Sequence, residues 1–149
     1  MKTCIIISAC LIGENCKYNG GHNRITRASS KKILDQWGKK GKLIPVCPEV
    51  LGGLPIPRPP AEIQAMDGFA VLEAKRGVLN RDGLEVSKFL INGAIRTLNL
   101  VTQHGARVAV FKEKSPSCGV HQIYDGSFQG VLKQGCGVTS ALLIENGIK

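Results

Sequence analysis

The chain has 149 residues and a formal charge of +9, from 20 Lys and Arg against 11 Asp and Glu. That length suits a single domain, residues 1–149, with a core large enough to fold without disulfide staples. The charge calls for an anionic partner, yet the cations are spread along the sequence and only 5 % of residues are aromatic, which argues against a base-stacking nucleic-acid platform and for a small anionic molecule.

The N-terminal run Cys4-Ile5-Ile6-Ile7-Ser8-Ala9 reads as a core strand leading into Cys10. With Met1-Lys2-Thr3 before it, the run imitates a lipoprotein cleavage site, but its firmly apolar part, Cys4 to Ile7, is too short for the ~7–15 residue apolar region of a signal. No stretch approaches the ~20 apolar residues of a membrane span. The expected location is therefore the cytoplasm, where thiols stay reduced and six cysteines mean chemistry or metal before disulfides.

From Leu11 to Arg24 the sequence is rich in Gly and Asn without periodicity, a long loop and a candidate substrate cover. A helix is expected from Ala28 to Gly38, with Ile33, Leu34 and Trp37 facing inward. The second strand, Lys42 to Val46, leads into Cys47 and completes a right-handed βαβ unit. The five prolines between Pro48 and Pro60 exclude helix and central strand and predict an ordered loop.

Between Ala61 and Asp82, Glu62-Ile63 and Ala70 to Glu73 are expected to pair as a hairpin around Met66-Asp67-Gly68. Leu84, Phe89, Leu90, Ala94, Leu98 and Val101 then recur at helical spacing until Gly105. The third strand, Val108 to Phe111, leads through a polar loop to Cys118. Tyr124 to Phe128 reads as a turn, and a last helix carries Val138, Ala141, Leu142 and Ile144; Gly135-Cys136-Gly137 at its start is either an anion-binding turn or a close packing turn.

Three predicted strands thus each deliver one cysteine, Cys10, Cys47 or Cys118, to the loop just past their end. In a parallel sheet those ends share one edge, where ligands bind. Cys4, Cys16 and Cys136 do not follow the rule and read as small buried or semi-exposed thiols. His22, His104 and His121 lack paired ligand spacing, and no cysteine pair has zinc-finger spacing. Separations of 37 and 71 positions are compatible with a cubane iron–sulfur cluster assembled across a fold, or with three unrelated thiols.

The motifs decide further. Ser8-Ala9-Cys10 with Lys17-Tyr18-Asn19-Gly20-Gly21, Cys47-Pro48-Glu49 with Gly52-Gly53-Leu54 and Pro57-Arg58, and Ser115-Pro116-Ser117-Cys118-Gly119 resemble the motifs of the TudS-type thiouracil desulfidases. The likeness runs over nearly the whole chain, with one departure, Lys17-Tyr18-Asn19 where Arg-Tyr-Asp is expected. The resemblance implies an α/β fold, a single Rossmann-like domain with a mostly parallel sheet and helices packed on it. It implies a 4Fe-4S cluster held by Cys10, Cys47 and Cys118 with one open iron, and removal of sulfur from thiolated uracil compounds. Glu49 would be the catalytic carboxylate and Ser115 its polar partner.

The residues suit those roles on their own chemistry. Glu49 lies among prolines and apolar residues two positions past Cys47, and Ser115 precedes a proline that biases it to an extended conformation. The positive charge favours a phosphorylated thiolated pyrimidine, with Arg58 and Lys112 as candidate phosphate contacts. Two rivals remain at this point: a non-catalytic iron–sulfur or redox-sensing protein, and a basic RNA-binding module whose affinity would fall steeply with salt.

Overall fold

The computed structural model describes residues 3–149, so that Met1 and Lys2, the head of the cleavage-site-like pattern, lie outside the described residues. In chain order the elements are β1 (Ile5–Ser8), α1 (Ala28–Lys39), β2 (Leu43–Val46), α2 (Pro48–Leu51), β3 (Ala61–Ile63), α3 (Gly68–Ala74) and β4 (Val78–Asn80). They continue with α4 (Ser87–His104), β5 (Val108–Val110), β6 (Gln122–Tyr124), β7 (Leu132–Gln134) and α5 (Val138–Glu145). A 3-10 turn, Ala9–Ile12, follows β1 directly.

The fold is mixed α/β around a parallel sheet in the order β2-β1-β5. β1 is its centre and is buried at every position, which is why three consecutive isoleucines precede Ser8, whose hydroxyl accepts from Lys112 N at 2.9 Å. The β1 register places Ser8 beside Val46 and Ile7 beside both Pro45 and Val110. The three strands therefore stop level with one another. β3 pairs with β4 and β6 with β7 in two antiparallel ladders.

Apolar side chains form two clusters. One gathers Ile63, Val71, Val78, Leu90, Ala94, Ile123 and Val138 among the ladders, α3, α4 and α5. The other holds Ile6, Val46, Val101, Ala106 and Leu143 against the parallel sheet. The 18 residues of α4 span roughly 27 Å, long enough to supply Leu90 and Ala94 to the first cluster and Val101 to the second.

Four expectations are corrected. Glu62-Ile63 pairs with Val78-Leu79 rather than with Ala70 to Glu73, because Asp67 caps a helix there: its carboxylate accepts from the Ala70 N–H at 3.0 Å and converts the presumed second strand into α3. Leu84 precedes α4 and is 62 % exposed, since Asn80 Oδ1 accepts from the Leu84 N–H and holds residues 80–84 in a turn. Ile33 is 46 % exposed; α1 has no fully buried residue, and of the three expected inward positions only Leu34 and Trp37 are half-buried. Pro48 opens a helical turn instead of forbidding one, because the first helical position needs no N–H.

Candidate active site

The level strand ends put Cys10, Cys47 and Cys118 on the wall of one cavity of about 380 Å³, together with Glu49, Lys112 and Ser115. That volume lies in the ~300–1,000 Å³ range of small-molecule sites. Each cysteine is held by its own local device. Cys10 sits in the 3-10 turn closed by Gly13 at φ +97°, and its carbonyl and sulfur accept from Asn23 N and Nδ2 at 2.9 and 3.5 Å. Cys47 caps α2, its carbonyl accepting from Leu51 N.

Cys118 lies in a turn closed by Gly119 N donating to Ser115 O. The first N–H groups of α5 support that turn from below: Val138 N donates to Pro116 O, and Thr139 N and Ser140 N donate to Ser117 O. Ser140 Oγ adds a bond to Cys118 O at 2.8 Å. This settles the alternative at Gly135-Cys136-Gly137 in favour of packing, because the N–H groups that would bind an anion already bind the cysteine loop. A Cβ on Gly137 would stand 2.5 Å from Ser117 C, so only glycine lets the two segments touch.

Glu49 is fixed at both oxygens. Arg58 Nε donates to Oε1 at 3.3 Å, and Ser117 Oγ donates to Oε2 at 3.2 Å. Ser115 lies one step further away, its Oγ 3.0 Å from Ser117 Oγ and accepting from Ser117 N and Cys118 N. The expected Glu49–Ser115 pair is thus bridged by Ser117, a buried residue that sequence reading passed over although it stands in the same Ser-Pro-Ser-Cys motif.

Arg58, expected to meet a phosphate, is turned inward: its side chain is 4 % exposed, and Nη1 and Nη2 donate to Pro55 O and Cys16 O at 3.2 and 3.0 Å. Lys112 lines the cavity with Lys17 and Lys114. Burial holds its ammonium below the usual lysine range, Lys114 and Lys17 add to the effect, and the nearby Cys10 opposes it. Tyr18, Tyr124 and Phe128 give the same cavity flat apolar surfaces.

Cys16, expected as a small buried or semi-exposed thiol, is indeed buried, but its place on the cavity wall was not foreseen. Its carbonyl accepts from Cys47 Sγ at 3.7 Å. Burial, then the neighbouring Cys47 and Cys10, push its thiol up to about 12. Burial likewise pushes Cys118 up to about 12, against hydrogen bonds from Ser8 and Ser117 that favour the thiolate. A long Gly-rich loop gave no strand end from which Cys16's direction could be read. Cys136 instead lies near Asp67, away from this wall.

Among the described residues no three His, Cys, Asp or Glu side chains are grouped so as to hold a metal ion. A cubane cluster makes a different demand, one thiolate to each iron, so its thiolates ring a cavity rather than meet at a point. Soft thiolate donors around a cavity fit iron–sulfur chemistry. Among the described residues no helix is long and apolar enough to cross a membrane.

Known proteins are similar to this chain in sequence, and one solved structure in fold as well. A protein of Bacillus subtilis strain 168, YbbK, which is uncharacterised, is 40 % identical over 145 residues, 97 % of this chain and 92 % of its own. The solved structure of TudS, a 4Fe-4S-dependent thiouracil desulfidase, superposes with a TM-score of 0.87 at 42 % identity, covering 99 % of this chain and 88 % of that one. The sequence profile of 2-thiouracil desulfurase matches residues 5–149, and the chain belongs to the 2-thiouracil desulfurase family.

Proposed function

We propose that this protein removes sulfur from thiolated uracil compounds by a non-redox, hydrolytic route that depends on a 4Fe-4S cluster. The observation that carries the reading is the placement of Cys10, Cys47 and Cys118 with Glu49 on one cavity at the carboxyl edge of the parallel sheet. Those three thiolates would hold the cluster, leaving one iron free of protein ligands. When bound, it would supply a Lewis acid with affinity for sulfur.

The protein's own residues account for the remaining chemistry. Glu49 accepts a proton from a water molecule, whose oxygen adds to the ring carbon bearing sulfur. The carbon–sulfur bond then breaks with its electron pair on sulfur, so thione and water become carbonyl and hydrogen sulfide without net oxidation. Ser115, joined to Glu49 through Ser117, returns a proton toward the departing group. The aromatic surfaces of Tyr124 and Phe128 suit a flat pyrimidine.

The cavity is larger than a bare pyrimidine fills, and its lysines favour a nucleoside monophosphate. Lys112 is the proposed phosphate contact, with Lys17 and Lys114 beside it. The cytoplasm, where the thiols stay reduced, is the fitting compartment.

Anaerobic reconstitution, followed by measurement of sulfide release from thiouracil, thiouridine and thio-UMP, tests the proposal. Stoichiometric sulfide with the corresponding uracil product is expected, with thio-UMP giving the highest kcat/KM. A reconstituted protein that holds four irons and releases no sulfide from any of them would instead be a cluster-carrying sensor.

A further inference from the structure

Arg58 differs from the lysines of the cavity in how its charge is used. Its three guanidinium nitrogens each donate to an internal acceptor: Glu49 Oε1, Pro55 O and Cys16 O. Its backbone N–H donates to Tyr18 O at 2.7 Å. One residue thereby grips the catalytic carboxylate and, at two points, the loop between residues 13 and 24. The guanidinium is planar and rigid, so three acceptors at fixed angles define its orientation, and fixing Oε1 while Ser117 holds Oε2 leaves the carboxylate one rotamer.

The pairing is costly to bury. Glu49 is 14 % and Arg58 4 % exposed at the side chain, and ion pairs taken from water lose hydration that apolar packing would not. A fold that needed only to fasten the proline-rich loop would not require a charge aimed at Glu49. A phosphate contact would in turn require an open guanidinium, whereas each nitrogen here already has a carbonyl or carboxylate partner.

The structure assigns Arg58 as a positioning residue that locks the Glu49 carboxylate and the 13–24 loop into one unit over the cavity. Its kinetic consequence rests on Glu49 being the base; its tethering of the loop does not. A misplaced base costs rate rather than binding, because substrate still enters the cavity but water is no longer held in line.

The test uses full-length Arg58→Gln, Arg58→Lys and the Glu49→Gln/Arg58→Gln double variant, each reconstituted anaerobically. Iron and sulfide content, sulfide release from thiouracil and thio-UMP, and amide hydrogen exchange across residues 13–24 are read for each. Arg58→Gln should retain iron, lose about 10- to 100-fold in kcat on both substrates and change KM by less than about threefold. Exchange in the loop should accelerate by about tenfold or more. Arg58→Lys, which keeps the charge but not the fork, should recover little of either. In the Glu49→Gln background the added Arg58→Gln change should cost less than about twofold.

A rise in KM confined to thio-UMP, with kcat and loop exchange unchanged, would overturn the assignment and return Arg58 to the phosphate. Additive losses in the double variant would overturn it too. If Arg58→Gln does not fold, the loop exchange and kcat of Arg58→Lys decide alone. Should the wild-type protein release no sulfide from either compound, the desulfidase reading fails while the exchange comparison still decides the tether.

Discussion

At the scale of single residues, the proposed function separates groups that would hold the cluster from groups that would react. Cys10, Cys47 and Cys118 lie in the segments that follow the three parallel strands and share one cavity; if they hold the cluster as proposed, replacing any one by Ala should abolish the brown absorbance of the reconstituted protein. Cys16 shares the wall but hangs from the loop, and Cys16→Ala should keep that absorbance; its loss would move Cys16 into the ligand set. Glu49→Gln keeps size and both hydrogen-bond partners in reach while removing the basic oxygen. Iron content should stay near normal and turnover should drop by about 10² to 10⁴, the range of general base catalysis. Ser115→Ala should act in the same direction, and since Ser117 links the two side chains, the double variant should be little worse than the weaker single one.

At the scale of elements, Cys47 and Glu49 are set by close backbone contacts that leave room only for glycine. α2 meets α4 through Gly52 and Gly93: a Cβ on Gly93 would lie 1.9 Å from Pro48 O, and one on Gly52 would lie 1.9 Å from Phe89 O. In an isolated helix Gly93→Ala would stabilise by about 1 kcal/mol. Here the added methyl must push away the turn bearing Cys47 and Glu49. The variant should therefore lose roughly 1–3 kcal/mol, the cost of overpacking, measured as a lowered denaturation midpoint, and should retain iron poorly.

The loop before Cys118 depends on a charge. Burial alone would raise Glu113, but N–H donation from Gln122, His121 and Val120 to one carboxylate oxygen outweighs it and holds the group at about 2. A carboxylate with a depressed value stabilises the fold above its unfolded value of ~4.5 and loses that contribution as pH falls toward 2. Wild type should therefore be more stable than Glu113→Gln at pH 7, with the gap closing between about pH 4.5 and 2 in denaturant titrations. The carboxylate is 36 % exposed, so the gap should be modest and shrink with salt.

What could be read in the sequence follows the same division. β1 and its cysteine were legible because a strand covered on both faces is apolar over most of its length, here Ile5 to Ile7, and α4 because its buried positions repeat at helical spacing. The β3–β4 and β6–β7 ladders were not, since three-residue strands carry too little alternation to separate from turns. Cys10, Cys47, Glu49 and Cys118 were placed by strand ends and motif. Cys16 was read correctly as a buried thiol, but its position on the cavity wall, like the link that Ser117 makes to Glu49, depends on which segments meet across the cavity, and spacing along the chain says nothing of that.

For the whole molecule, the net charge of +9 is expressed unevenly at the site. Glu49 is neutralised locally by Arg58, and along the rest of the cavity wall Lys17, Lys112, Lys114 and Arg81 outnumber Glu62 and Glu113, so an incoming ligand meets a positive field. Burial, and after it repulsion from Lys114 and Lys17, holds Lys112 below the usual lysine range. An anion between them would relieve the repulsion and add a charge-assisted bond. A neutral thiouracil gains nothing from this arrangement, whereas a nucleotide gains both in contact and in attraction at a distance. Lys112→Ala should therefore lower kcat/KM for thio-UMP by roughly tenfold, the scale of one hydrogen bond to a charged group, through KM, and leave thiouracil within about twofold. Raising ionic strength from 0.01 to 0.15 M shortens the Debye length from about 30 to 8 Å, so the wild-type advantage for thio-UMP should shrink over that range and the advantage in Lys112→Ala should shrink less. Equal salt dependence for thiouracil and thio-UMP would mean that the cavity lysines serve solubility, and that the base alone is what the site selects.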